Sequence, residues 1–152
     1  MNVFFSLGSN MGNRQELLEL AFTLLNNKIG NLVSRSSFYE TEPWGFSSKN
    51  SFLNVCCLYD TKLTPQEVLK ETQQIEKELG RKRKSKNKVY HDRPIDIDLL
   101  LYDQLIINTP ALTLPHPLMH ERKFVLEPLK EIAPDVIHPV LKESVTQLLE
   151  KL

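Results

Sequence analysis

Only two cysteines occur in the sequence, and they are adjacent, Cys56 and Cys57. Neighbours on an extended strand point to opposite faces, which excludes a disulfide between them, and there is no third thiol to pair with either. The chain therefore reads as a reduced, cytoplasmic protein. No apolar run approaches the ~20 residues of a membrane span. Met1 to Gly8 has no basic stretch ahead of its short apolar one, so it does not read as a secretory signal. An excess of charge is lacking too: 19 Lys and Arg balance 19 Asp and Glu. Net charge thus supplies no general attraction to nucleic acid or membrane. There is no low-complexity segment and no interdomain linker, and 152 residues suit a single domain spanning 1–152.

The elements follow from periodicity and punctuation. Val3 to Leu7 is a short apolar run closed by Gly8-Ser9-Asn10, the pattern of a buried strand. Leu17, Leu18, Ala21, Leu24 and Leu25 recur at helical spacing within 15–27, and Gly30 ends that helix. Leu32–Glu40 and Phe52–Asp60 read as strands paired in an antiparallel hairpin. The intervening Thr41 to Ser51, with Pro43 and Gly45, reads as a loop. Thr64-Pro65-Gln66-Glu67 is a helix start with a cap, a first-turn proline and a capping-box Glu. That helix runs to Leu79 and stops at Gly80. Ile95–Tyr102 is a further strand, and Glu121–Ile132 and Glu143–Leu152 are two more helices. Strand, helix, strand, strand, helix, strand predicts an α+β, ferredoxin-like βαββαβ fold. It has an antiparallel sheet with helices on one face and a helical C-terminal tail.

The chemistry concentrates in Asp96-Ile97-Asp98-Leu99. A strand places Asp96 and Asp98 on one face and Ile95, Ile97 and Leu99 on the other. Two residues rise about 7 Å, so the carboxylates stand side by side and repel unless a cation lies between them. Mg²⁺ uses one or two carboxylates together with substrate phosphates. Taken alone, such a pair reads first as a solvated strand face. Its setting, interrupting an apolar strand and following a basic loop, raises the metal to an equal footing. Arg81 to Lys88 holds six cations in eight residues, with Arg93 beyond. Cations and a bound metal would then meet one polyanion from two sides, the positioning and electrostatics that phosphoryl transfer needs. Residues 81–92 read as a lid that orders over a bound triphosphate.

Leu114-Pro115-His116-Pro117-Leu118-Met119-His120-Glu121-Arg122 places two histidines at i and i+4. Pro117 disfavours a continuous helix, and no cysteine or third histidine is near, which argues against zinc. Phosphate contacts by His116 and Arg122 suit the segment better, and a proline-stiffened surface turn is the plain alternative.

In order and spacing, these pieces resemble the 6-hydroxymethyl-7,8-dihydropterin pyrophosphokinase family over essentially the whole chain. The matching residues are Leu7-Gly8-Ser9-Asn10, Ser36-Ser37-Phe38-Tyr39, Phe52-Leu53-Asn54, Ile75-Glu76 with Gly80-Arg81, and Arg93-Pro94-Ile95-Asp96-Ile97-Asp98-Leu99. They continue with Pro115-His116-Pro117, Arg122-Lys123-Phe124 and Glu131-Ile132-Ala133-Pro134. The resemblance implies an enzyme that transfers pyrophosphate from ATP to the pterin hydroxymethyl group and releases AMP, in folate biosynthesis. It implies Asp96 and Asp98 bridging two Mg²⁺ ions, with Arg83, Arg93, His116 and Arg122 on the ATP phosphates. Gln73, Glu76, Tyr90, Leu99 and Thr113 complete the ATP site. The pterin would lie between Phe52 and Phe124, read at its polar edge by Asn54 and the Thr41, Pro43 and Trp44 segment. The substrates are small molecules, with no nucleic acid or membrane partner, and the expected state is a monomer.

Three positions depart from the family pattern: Tyr90 where a tryptophan is common, His91-Asp92 where Gly-Pro is common, and Ala111 where some members have arginine. The rival from another class is a non-enzymatic ferredoxin-like RNA-binding module, which shares the element order. The aromatic-basic signature of such modules is missing from Phe52–Asp60, and two carboxylates on the sheet would repel phosphates.

Overall fold

The computed structural model describes residues 1–41, 51–81 and 94–152. Residues 42–50 and 82–93 lie outside that description, and with them Pro43, Trp44, Arg83, Tyr90, Arg93 and the expected ATP loop. The described elements are β1 (Asn2–Ser9), α1 (Arg14–Lys28), β2 (Gly30–Arg35), β3 (Tyr39–Thr41), β4 (Phe52–Thr61), α2 (Pro65–Arg81) and β5 (Asp96–Tyr102). A two-stranded hairpin follows, β6 (Ile107–Asn108) and β7 (Thr113–Leu114), then a 3-10 turn at Met119–Glu121, α3 (Lys123–Ile132) and α4 (Val145–Glu150).

The main sheet is antiparallel in the order β2-β4-β1-β5, with β3 also paired to β4. That is the ferredoxin-like order expected, with the third strand of the pattern beside the first. Strand alternation makes two faces. One carries Val3, Phe5 and Leu7, Val55, Cys57 and Tyr59, and Ile97 and Leu99. The apolar faces of α1 (Leu18, Ala21, Leu25) and α2 (Val68, Ile75, Leu79) cover it. Thr64 and Glu67 close the capping box at the start of α2: Glu67 N–H donates to Thr64 Oγ1 at 3.1 Å, and Thr64 N–H to Glu67 Oε1 at 2.9 Å.

The helical tail packs on the opposite face, but only at one end. Val125, Leu126 and Leu129 of α3 and Val145 and Leu148 of α4 close over Phe4, Cys56, Leu100 and Leu101. A β-bulge lies opposite Phe4 and Phe5, where the partners step from Leu101 to Leu99. It turns both Leu100 and Leu101 toward the tail. Beyond the tail, this face carries Ser6, Gly8, Asn54, Asp96 and Asp98.

Three boundaries differ from expectation. The Leu32–Glu40 strand is two strands, broken at Ser36, whose N–H reaches Cys56 O at 2.9 Å and whose hydroxyl accepts from Cys56 N–H at 3.0 Å. α3 starts at Lys123 because Arg122 is extended, at φ −113 and ψ 106. α4 starts at Val145, capped by Ser144 and Gln147 in a capping box. The two cysteines lie on opposite faces as expected, both buried and free. No helix among the described residues is long and apolar enough to cross a membrane.

Candidate active site

The uncovered part of the second face is built in rows by strand register. Gly8 of β1 pairs with Asn54 of β4 on one side and Asp96 of β5 on the other. Ser6 pairs in the same way with Cys56 and Asp98. Side chains on this face therefore read Asn54, Gly8, Asp96 and, one pleat along, Cys56, Ser6, Asp98. The middle strand supplies only small residues, which leaves a trough between Asn54 and the carboxylates. A Cβ on Gly8 would meet Asn54 Oδ1 at 2.9 Å and the Phe52 ring at 3.6 Å.

The trough walls come from other elements. Arg122, at the joint between the 3-10 turn and α3, brings Nη1 to 3.8 Å from Asp98 Oδ2. Its guanidinium carbon stands 5.5 Å from the centre of the Phe124 ring, within cation–π range. Phe124 and Phe52 are both half-buried. Asn54 is buried, and its Nδ2 donates to Thr41 Oγ1 at 2.7 Å. That bond turns the carboxamide oxygen toward Gly8, as a hydrogen-bond acceptor at the trough wall. Across Ser6 from Asp98, the Cys56 thiol is pushed well above its ordinary range, mainly by burial, with the Asp98 charge adding to the effect. It stays a neutral packing group.

A second set of residues lines the outer edge of β5. Ile97 N–H donates to Glu76 Oε2 of α2 at 2.6 Å, and His116 N–H donates to Leu100 O at 2.9 Å. Between these two fastenings lies Leu99, which by antiparallel alternation presents its backbone to the same outer side as Ile97. Gln73 is exposed on α2, one turn before Glu76. β7, which carries Thr113, runs alongside β5, and Ala111 is exposed in the turn before it.

His116 is half-buried, and its Nδ1 accepts from Leu118 N–H at 3.1 Å. In the neutral ring the proton then sits on Nε2, which faces outward as a donor. Burial, helped by the Arg122 charge, lowers its pKa from 6.5 to about 4. The ring is therefore a neutral donor across the physiological range.

The structure thus gathers Asp96, Asp98, Arg122, Phe124, Phe52, Asn54 and Thr41 on one face, with Glu76, Leu99, His116 and Thr113 along the adjoining edge. Among the described residues no group of three or more His, Cys, Asp or Glu is gathered as a metal would need. Two carboxylates on one face do suit Mg²⁺, which takes its remaining ligands from water and substrate phosphates. Sequence reasoning did not single out Ser6 and Gly8 as the trough floor. Two small residues at strand spacing, on the face shared with the carboxylates, were the available signal.

The fold is ferredoxin-like α+β, with Asn54, Asp96, Asp98 and Arg122 gathered on one face of the sheet. Comparison with known proteins agrees. The family profile described as 7,8-dihydro-6-hydroxymethylpterin-pyrophosphokinase (HPPK) matches residues 4–134. The 2-amino-4-hydroxy-6-hydroxymethyldihydropteridine pyrophosphokinase of Porphyromonas gingivalis is 51% identical over 138 residues, 90% of this chain and 93% of that protein. The protein of the same name from Aquifex aeolicus is 39% identical, covering 95% of this chain and 88% of its own length. A crystal structure of Plasmodium falciparum HPPK-DHPS with pterin and p-hydroxybenzoate has a TM-score of 0.80 at 18% identity. It covers 99% of this chain, which spans 42% of that longer one; at that identity the likeness concerns the fold alone. The chain belongs to the 7,8-dihydro-6-hydroxymethylpterin-pyrophosphokinase family. Membership makes it a pyrophosphokinase of folate biosynthesis acting on hydroxymethyldihydropterin, and nothing in the comparisons supports the RNA-binding alternative.

Proposed function

We propose that the trough and the β5 edge together carry the transfer of the β,γ-pyrophosphoryl unit of ATP to the hydroxymethyl oxygen of 6-hydroxymethyl-7,8-dihydropterin, with Mg²⁺ held at Asp96 and Asp98. The observation that carries this reading is the carboxylate pair on one face of an edge strand, with Arg122 against Asp98. In the reaction the hydroxymethyl oxygen bonds to the β-phosphorus as the bond to the α,β-bridging oxygen breaks. AMP leaves with that oxygen, and the hydroxyl proton is released.

Asp96 and Asp98 would hold the two Mg²⁺ ions, which would supply positive charge to neutralise the triphosphate. Arg122 adds a fixed positive charge beside Asp98, and neutral His116 offers Nε2–H to a phosphate oxygen. Arg83 and Arg93 join them from the basic segment, on sequence grounds, with Tyr90 beside them. Glu76, Gln73, Leu99 and Thr113, along the outer edge of β5, suit the nucleoside part. On the acceptor side Phe52 and Phe124 flank the ring, and Asn54 and Thr41, with Pro43 and Trp44, read its polar edge. We place the enzyme in the cytoplasm as a monomer. The two free, buried thiols support the reducing compartment, and light scattering tests the monomer.

The test is incubation with ATP and hydroxymethyldihydropterin, with and without Mg²⁺, followed by separation of the nucleotides. AMP formed in step with pterin pyrophosphate, and lost on chelation, is the expected result. ADP as product, or full turnover in excess chelator, would overturn it.

A further inference from the structure

β3 is three residues long, and each of its side chains is tethered. Tyr39 OH donates to Glu131 Oε1 of α3 at 2.8 Å, and Thr41 Oγ1 accepts from Asn54 Nδ2. Between them Glu40 turns to the other side and meets Arg14, the first residue of α1. Arg14 Nη1 donates to Glu40 Oε2 at 3.1 Å, to Ser51 O at 3.0 Å and to Ser51 Oγ at 3.1 Å. Ser51 Oγ in turn donates to Glu40 Oε2 at 2.6 Å, closing a triangle.

The triangle sits one residue from the acceptor side of the trough on both strands. Glu40 precedes Thr41, Ser51 precedes Phe52, and Thr41 and Phe52 are register partners. A strand this short has little ladder to fix its register, and a slip by one residue would exchange its faces. Slippage would take Thr41 from Asn54, free the carboxamide to rotate, and shift the start of β4 that carries Phe52. Arg14 is well placed to prevent it. α1 is anchored in the core by Leu17, Leu18, Ala21, Phe22 and Leu25, so its first residue is a fixed point.

We propose that Arg14 is a positioning residue for the pterin side of the site, setting through Glu40 and Ser51 the register at which Thr41 and Phe52 meet. This rests on the assignment of Thr41, Phe52 and Asn54 to the pterin. The Glu40 carboxylate is held below its ordinary range, first by the Ser51 hydroxyl and then by Arg14, so the triangle keeps its charges through neutral pH. Exposed ion pairs add little to global stability, and Glu40 is 58% exposed. Geometry is then the main thing the triangle supplies.

Arg14→Met is expected to raise KM for the pterin about tenfold, a cost typical of lost orientation. KM for ATP and the melting temperature should stay near wild type. Arg14→Lys, which keeps the charge on a shorter side chain, should fall between. Glu40→Ala, at an exposed position that tolerates truncation, should repeat the effect if Arg14→Met folds poorly. Calorimetry with an unreactive pterin gives the same reading without turnover, and the Asn54 side-chain amide signals should shift or double. An unchanged pterin KM in both variants would overturn the inference. So would parallel weakening of both substrates together with a large drop in melting temperature. Failure of the wild-type protein to bind pterin would instead overturn the site assignment beneath it.

Discussion

Asn54 and Asp96 face each other across Gly8, each paired in register with that one residue. Two ladder steps separate their backbones by roughly 9.5 Å. The glycine keeps that space open. Gly8→Ala would drive a methyl to 2.9 Å from Asn54 Oδ1, and the clash falls on a side chain that can move. The variant should fold, with pterin affinity lowered about tenfold or more and ATP affinity little changed. Equal pterin affinity by calorimetry would show that the trough floor has slack.

Asp96→Ala and Asp98→Ala should each abolish nearly all turnover. Stability in urea should hold or rise for Asp96→Ala, because neighbouring like charges no longer repel, and rise less for Asp98→Ala, which also takes the partner of Arg122. Activity above about a tenth of wild type in either variant, at saturating Mg²⁺, would place the metal elsewhere.

His116 predicts a pH dependence with a definite sign. Its folded pKa is about 4 against the usual 6.5, so between those values the unfolded chain binds a proton that the folded chain refuses. The stability tied to the neutral ring is present above about 6.5 and is lost as pH falls toward about 4. Urea midpoints measured across that window should fall more steeply for wild type than for His116→Gln. Parallel curves would show the ring titrating alike in both states.

Gly30→Ala tests the fold apart from the site. A Cβ there would lie 2.1 Å from Asp60 O, with φ at +156, and backbone cannot yield as a side chain can. A loss on the order of 3 kcal/mol is expected, with substrate affinities of the surviving folded fraction unchanged. A loss below about 1 kcal/mol would mean that the β2–β4 edge reshapes cheaply.

Much of this fold was legible from local signals. The Thr64–Glu67 capping box, the Leu17–Leu25 spacing and the apolar runs of β1 and β4 placed those elements to within a few residues. The break at Ser36 was not legible, since Ser, Phe and Tyr suit one long strand as well as two. The two-residue strands β6 and β7 are too short to hold a period. Amphipathy showed that α3 had a face to bury, but not which face of the sheet would receive it. In the site, strand alternation was enough to set Asp96 and Asp98 side by side. Phosphate contacts by His116 and Arg122 were expected from their segment and the part of Phe124 only through resemblance, as their convergence depends on how the tail crosses the sheet. Arg14, Glu40 and Ser51 went unnoticed, because three polar residues so spread along the chain have no common pattern until β3 pairs with β4.

β5 is built like a cantilever. Its root, Leu100 and Leu101, is clamped where the bulge presses it under the tail. Its tip, Asp96 to Asp98, lies beyond the tail, held by its ladder with β1, by the Glu76 contact at Ile97 and by Arg122 beside Asp98. Root and tip then answer to different loads. Amides at the root should exchange only on global opening, and those at the tip through local fluctuation. Cations bound there as proposed would act first on the tip and leave the packed interior undisturbed.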